Sequence, residues 1–372
     1  MHIVDISFHS SHHHLTISEY LEVSEPNIGY AHYLNRNSKI TYIFHHNEDK
    51  VFSKNGVNYI FKKKQSNSKL KFPFKLVLQI RKLKPDVILV HSLTYVHFAA
   101  ILKCFLPKKT IILVQHHGSI PTSNWIKSKL MQRCDRYVNG YLFTSKKMGS
   151  AWVERKLISS YSKVFEVMEG STSFKPFDKT VSKDEIGVAK EIPVFVWVGR
   201  LNENKNPLCV LEAFKHFKNS GAHFRLFMFY HTEQLLPEIK QFITQNNLQD
   251  HIILKGKIAH EKLVYWYNLA DFFVLASYRE AGGYALCEAM ACGCIPIVTK
   301  IPSFEYMVKD GYSGLLFEPG NSANLFEKLT LTKVIDIATW KKQVRTHFDE
   351  KLSFKAIAKG IELIIKTLQS KK

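Results

Sequence analysis

Two glutamates, Glu280 and Glu288, stand with seven residues between them in SYREAGGYALCEAMACGCIPIVT (Ser277–Thr299). Gly282 and Gly283 follow the first, and an apolar run of helix formers carries the second. Such residues admit two kinds of chemistry. A carboxyl pair ~5–9.5 Å apart can cleave a glycosidic bond. Carboxylates beside glycines at a fresh helix N-terminus can instead hold a ligand's hydroxyls, while free N–H groups and the helix dipole hold its phosphates. Eight helical positions would span about 12 Å, and a loop before the helix would shorten that, so spacing leaves both open.

A second stretch bears on the choice. VGRLNENKN (Val198–Asn206) places Arg200 and Lys205 on either side of a turn read at Gly199. A guanidinium pairs bidentately with phosphate oxygens and an ammonium adds a mobile point charge, so two cations and a Gly-containing turn suit a pyrophosphate. A solvated basic loop is the bland alternative. A diphosphate leaving group needs no carboxylic acid to protonate it, and fixed positive charge where negative charge develops is the more useful device. That favours ligand holding over a hydrolytic dyad.

The elements that must position these residues alternate. In the first half, strands are expected at His2–Phe8, Lys39–Phe44, Val57–Phe61, Asp86–His91, Thr110–Gln115, Tyr137–Thr144 and Phe165–Glu169, with helices at Leu70–Leu83, Tyr95–Phe105, Asn124–Gln132 and Lys146–Lys156. The second half restarts the pattern. Strands are expected at Val194–Val198, Phe224–Tyr230, Ile252–Leu254 and Asp271–Ser277, and helices at Asn206–Lys218, Glu233–Asn246, Glu261–Asn268, Ala323–Leu329 and Ser353–Leu368. Strands alternating with helices imply βαβ units and parallel sheets. The expected division is an N-terminal domain over 1–170, a polar linker over 171–190, a C-terminal domain over 191–345, and a last helix over 346–372 free to pack back on the first domain. With 372 residues there is length for two cores, and ligands in such sheets bind at the carboxyl ends of strands. No run of eighteen apolar residues predicts a transmembrane helix. The start, MHIVDISFHS, reads as a strand and not as a signal segment. The six cysteines sit in apolar contexts and read as reduced core thiols, which points to the cytoplasm.

The two anchors, with LKGKI, DFFVLAS and YSGLLFEPG, resemble the family-4 retaining glycosyltransferases of the GT-B fold over most of Pro193–Phe317. The resemblance implies two Rossmann-like domains with parallel sheets facing an interdomain cleft, nucleotide-sugar donor on the C-terminal domain and acceptor on the N-terminal one. It gives Arg200 and Lys205 the donor diphosphate, Glu280 the transferred sugar, Gly282 and Gly283 the distal phosphate, and Glu288 the ribose. Gly199, Ala281 and Tyr284 line the same loops, and Gly256, Lys257 and Ile258 would meet the base through backbone. Many relatives read Glu-Gly-Phe-Gly, whereas this chain reads Glu280-Ala281-Gly282-Gly283. In QHHGS, His117 directly precedes Gly118 and is favoured over His116 as a catalytic residue near the transferred sugar, against a histidine that only satisfies backbone. His12 and His13, in HSSHHHL where many relatives have a Gly-rich loop, read as acceptor-side polarity or bland surface. GSTSF (Gly170–Phe174) is a further donor-phosphate candidate. Neither a metal nor another cofactor is expected, and no residue reads as a covalent nucleophile.

The charge is uneven. Met1–Glu169 holds 25 Lys and Arg against 11 Asp and Glu, a net of +14 of the chain's +20. Such a field favours anionic partners. Lys69–Lys84 mixes apolar and basic residues with faces not cleanly divided; an ordinary packed helix and a membrane-surface segment both fit. No nucleic-acid module is visible. The sequence therefore reads as a glycosyltransferase moving a sugar from a nucleotide-diphosphate sugar to a sugar or lipid-linked acceptor, in the cytoplasm or peripheral on its membrane face. The competing class is an inactive scaffold acting as a basic membrane-surface or nucleic-acid binder. A sugar-nucleotide epimerase or a phosphorylase is a further alternative.

Overall fold

The computed structural model describes residues 1–8, 14–34, 38–63, 74–178 and 192–370. His12, His13, residues 179–190 and the start of Lys69–Lys84 lie outside them. The chain forms two compact units, Met1–Ser171 with Phe354–Lys372, and Thr172–Ser353.

The first unit is built on one eight-stranded sheet. Its strands are β1 His2–Ser7, β2 Lys39–His46, β3 Lys50–Lys54, β4 Val57–Lys63, β5 Val87–His91, β6 Ile111–Gln115, β7 Gly140–Phe143 and β8 Val164–Glu166, in the order β3-β4-β2-β1-β5-β6-β7-β8. All neighbours are parallel except β3 and β4, which corrects the expectation of a purely parallel sheet. The cause is local: Asn55 and Gly56 both have positive φ, 52° and 78°, the backbone of a two-residue hairpin. The seventh strand starts three residues later than expected because Tyr137–Asn139 turn into it. Helices α1 Ile17–Ile28, α2 Phe74–Lys82, α3 Val96–Phe105, α4 Trp125–Asp135 and α5 Lys146–Glu154 fill the crossovers. The first was not expected. A capping box between Thr16 and Glu19 starts it, and Pro26 lies inside it. On α2, Leu76, Val77 and Ile80 are buried while Phe74 and Leu78 are exposed, so its faces divide more cleanly than the sequence suggested. Cys104 is exposed, unlike the other five cysteines, and none of the six forms a disulfide.

The second unit is a six-stranded, wholly parallel sheet. Its strands are β9 Val194–Gly199, β10 Arg225–Tyr230, β11 Ile252–Gly256, β12 Phe272–Leu275, β13 Ile295–Thr299 and β14 Leu315–Phe317. Its helices are α6 Pro207–Asn219, α7 Leu236–Gln245, α8 Leu263–Leu269, α9 Tyr284–Ala291, α10 Pro302–Met307, α11 Ser322–Leu331 and α12 Ile337–Lys351. Phe195, Phe214, Phe224 and Phe272 pack edge-to-face and stacked at the sheet centre. The order β11-β10-β9-β12-β13-β14 reverses direction between β9 and β12. Ligands of open α/β sheets bind beyond the strand ends at such a reversal.

The last helix, α13 Phe354–Ser370, returns to the first unit. It buries Phe354, Ile357, Ile361, Ile364, Ile365 and Leu368 along one face, as its apolar spacing requires. Its partner is a 3-10 turn, Gly29–Tyr33: a Cβ on Gly29 would fall 2.5 Å from the Phe354 ring.

Candidate active site

The two anchor stretches emerge from adjacent strands. β9 ends at Gly199 and leads into Arg200–Asn206, and β12 leads into Ser277–Gly283, so both loops rise at the reversal of strand order. Three hydrogen bonds tie them: Tyr278 N–H to the Asn204 carbonyl at 2.8 Å, the Asn204 amide to the Arg279 carbonyl at 3.0 Å, and the Asn206 amide to the Tyr278 hydroxyl at 3.2 Å. Asn206 takes a left-handed conformation, φ 44°, to start α6.

Within this joined loop the Lys205 ammonium pairs with Glu280 Oε1, and the Ser277 hydroxyl donates to the same oxygen at 2.8 Å. Both charged side chains are largely buried. Arg200 is exposed, so the two cations of the motif separate, one held inward by a carboxylate and one facing solvent. Gly199 is the last residue of β9 and lacks a positive φ, contrary to its reading as a turn residue. A Cβ there would lie 3.1 Å from the buried Trp197 ring and 3.6 Å from Lys205 Cδ, so close packing is its role. Gly283 is the residue that needs glycine: φ is +54°, and a Cβ would fall 2.9 Å from Phe304. Buried Gly282 precedes it, Ala281 links it to Glu280, and Tyr284 opens α9.

Glu288 lies on α9, buried. Tyr267 of α8 donates its hydroxyl to Oε2 at 3.1 Å, and His260 Nε2 lies 2.7 Å from Oε1. Burial, then the Glu288 charge, push the Tyr267 hydroxyl well above its ordinary pKa, so it stays a donor. Phe174 stacks on His260 with ring centres 5.1 Å apart. Gly256 closes β11, two strands from β9, and Lys257 and Ile258 run on into the turn that delivers His260. An ionised carboxylate offers about four acceptor sites. Glu288 therefore keeps capacity for a ligand's hydroxyls beyond its two protein donors.

In the first unit the sheet order also reverses, between β1 and β5. His91 ends β5 and His117 follows β6, beside that point. His91 Nε2 lies 2.7 Å from Asp5 Oδ1, His91 Nδ1 lies 2.7 Å from His117 Nε2, and His117 Nδ1 lies 2.8 Å from Glu169 Oε2. Tyr30 donates to the other Asp5 oxygen at 2.8 Å. Burial draws His91 down, but the Asp5 carboxylate, its hydrogen bond and the Glu169 charge outweigh it and hold His91 above the ordinary histidine pKa. His116 is buried against Phe143, bonded to the Ser119 carbonyl at 2.8 Å, and lowered by burial, which marks it as structural. Gly118, φ 71°, makes the turn beside them.

Lys205, Glu280, Glu288 and His117 were named from the sequence, and the structure sets beside them Ser277, His260, Tyr267, Asp5, His91 and Glu169, which were not. Asp5 left one signal: an acid inside the apolar strand HIVDIS must find a partner. Among the described residues no cluster of three or more His, Cys, Asp or Glu suits a metal ion, and no helix is long and apolar enough to cross a membrane.

Residues 178–335 match the family of glycosyl transferases group 1. An uncharacterized glycosyltransferase of Methanocaldococcus jannaschii is 29% identical over 136 residues, 36% of this chain and 38% of that protein. A UDP-Gal:alpha-D-GlcNAc-diphosphoundecaprenol alpha-1,3-galactosyltransferase of Escherichia coli is 27% identical over 188 residues, 46% of each chain. The chain thus spans less than half the length of these curated relatives. The crystal structure of a glycosyltransferase from Rickettsia africae shares the fold of the whole chain, with a TM-score of 0.77 at 18% identity over 100% of this chain and 99% of that one. Two α/β units, with paired anchor loops at the strand reversal of the second, share the GT-B fold, and residues 178–335 are similar to the glycosyl transferases group 1 family.

Proposed function

We propose that this protein is a retaining glycosyltransferase that moves a sugar from a nucleoside-diphosphate sugar to an acceptor hydroxyl, in bacterial surface polysaccharide or glycolipid synthesis. The observation that carries the reading is the joined loop at the β9–β12 reversal, where Lys205 and Glu280 are held together beside the glycines that start α9. In this reading Arg200, Lys205 and the N–H groups at Gly282 and Gly283 take the diphosphate. Preorganised positive charge there stabilises the charge that grows as the glycosidic C–O bond breaks. Glu280 accepts from hydroxyls of the transferred sugar, and Glu288 from the ribose. The departing phosphate takes the acceptor's proton, so the reaction draws on no resident metal. The Escherichia coli relative's name, with its UDP-linked donor and lipid-diphosphate acceptor, supports both substrate classes.

The test is nucleotide release by the purified chain with UDP-, GDP- and ADP-sugars. Glu280→Ala is expected to lower turnover at least about 100-fold with the fold intact. Near-normal transfer by that variant would sink the assignment. Calorimetry with UDP, GDP and ADP separates the competing class, because an inactive surface binder should take up none of them.

A specific surface supports a lipid-facing acceptor. At the start of α4 and just before it, Ile120, Trp125, Ile126 and Leu130 are 66%, 72%, 60% and 48% exposed. Lys127, Lys129 and Arg133 are exposed among them, and no acidic residue occurs between Asp86 and Asp135. Apolar and cationic side chains interleaved on one exposed face suit an anionic bilayer. This relocates the membrane reading from Lys69–Lys84 to α4. Flotation with phosphatidylglycerol vesicles is expected to recover the wild-type chain and to lose the Trp125→Ser/Ile126→Ser variant; equal recovery of both would overturn it.

A further inference from the structure

Glu288 is gripped from two sides, and the two grips are themselves held differently. Tyr267 is buried and reaches Oε2 from helix α8. His260 reaches Oε1 from a 3-10 turn, His260–Lys262, with its side chain 60% exposed. The last torsion of a glutamate is broad, so a single donor leaves the carboxylate plane free to swing. Two donors, one on each oxygen, fix that plane. An ionised carboxylate only accepts hydrogen bonds, so His260 Nε2 carries the proton of its contact. An exposed imidazole on a surface turn keeps its rotamer freedom unless something backs the ring.

Phe174 backs it. The two rings stack with centres 5.1 Å apart and planes at 26°, and Phe174 also meets the Tyr267 ring at 6.3 Å. Phe174 ends GSTSF, and its segment is tied down on both sides. The Phe174 N–H donates to the Thr172 hydroxyl at 3.1 Å. Buried Asn268 of α8 donates its amide to the Lys175 carbonyl at 3.1 Å and to the Val264 carbonyl at 2.9 Å, and accepts from the Phe177 N–H at 2.9 Å. Phe177 then packs edge-on to Tyr265 of the same helix, ring centres 5.5 Å apart. Surface connections are ordinarily the mobile parts of a fold, and this one is fastened along its length. We propose that Phe174 is a positioning residue of the nucleotide site: it holds His260 against Glu288 and so fixes the carboxylate plane that takes the hydroxyls of the donor's ribose. The proposal rests on the ribose role given to Glu288 above. A fixed carboxylate accepts from two vicinal hydroxyls at once, and a swinging one does not, so the strap sets the preference for ribonucleotides over their 2′-deoxy forms.

The experiment is calorimetry of the purified chain with UDP, GDP and ADP, and with the 2′-deoxy form of whichever binds. The wild type is expected to prefer the ribonucleotide roughly tenfold or more. Phe174→Ala should bring that preference below about threefold by weakening the ribonucleotide alone, while Phe174→Tyr, which keeps the ring, should retain it. Phe174→Leu, which fills the space without a flat face, should behave as the alanine variant does and serves where that variant does not fold. His260→Phe keeps a ring on Phe174 and removes the donor, so it should lose the preference too, and the double variant Phe174→Ala/His260→Phe should bind no more weakly than either single one. A full preference in Phe174→Ala and Phe174→Leu, equal weakening of both nucleotide forms, or additive losses in the double variant would overturn the proposal and leave the ribose role of Glu288 standing. A wild type indifferent to the 2′-hydroxyl would refute that role and the proposal with it.

Discussion

Lys205 and Glu280 neutralise each other, and that pairing changes what each can offer. A ligand diphosphate that draws on Lys205 must share it with a carboxylate already held by Ser277. Glu288 is secured differently, by a buried phenol and an exposed histidine. Tyr267→Phe removes one donor to a charged, buried acceptor. The expected loss is about 1.5–3 kcal/mol, read as a lower urea midpoint at unchanged slope. Nucleotide affinity should fall with it if Glu288 holds the ribose. At this scale the sequence was legible wherever chemistry is written locally: Glu280, Gly283 and Lys205 sit in short motifs. It was mute wherever a site residue arrives from another segment. His260 and Tyr267 come from a turn and helix that read as ordinary amphipathic structure, and Ser277 looked like the end of a strand.

Elements followed the sequence where the apolar period is strong and departed from it where short polar signals decide. The buried strands of both sheets were legible because each is a nearly continuous apolar run. The first helix was hidden by its Ser and Glu content and by Pro26, although Thr16 and Glu19 spell a capping box. The hairpin between β3 and β4 was hidden because β3, KVFSK, is short and largely exposed, although Asn55-Gly56 marks the turn. Helix α12 buries only Val344 and Phe348, too few to raise a periodic signal. The element most sensitive to one substitution is the entry to α9. Gly283→Ala forces a left-handed alanine against buried Phe304 and Met307. The expected cost is about 1–3 kcal/mol, measured by chemical denaturation. Loss of less than about 0.5 kcal/mol would mean that the loop relaxes freely.

For the molecule, charge and proton uptake set the conditions of stability. His91 is held above its ordinary pKa in the folded chain, so the protonated form favours folding. That contribution is complete below the unfolded value of about 6.5 and is lost as pH rises through the folded value. Urea denaturation of the wild type should therefore show stability falling as pH rises above about 6.5. Asp5→Asn, which removes the largest stabilising charge on His91, should flatten that slope; an unchanged slope would assign it elsewhere. The two-unit plan was legible because the βαβ pattern restarts near Val194. The return of the last helix was anticipated, whereas α1 and the β3–β4 hairpin of the first unit were not, because they rest on short polar signals.

The second unit interrupts the first along the chain, with a consequence for biosynthesis. Helix α13, which buries six large apolar side chains in the first unit and sets Phe354 against the Gly29–Tyr33 turn, is translated only after every residue of the second unit. During elongation the second unit has all its strands available and can condense. The first must wait with its turn uncovered, although its sheet was made earlier. Maturation thus runs against the usual order in which the N-terminal domain settles first. The late docking of one helix is the step that completes the core of the first unit.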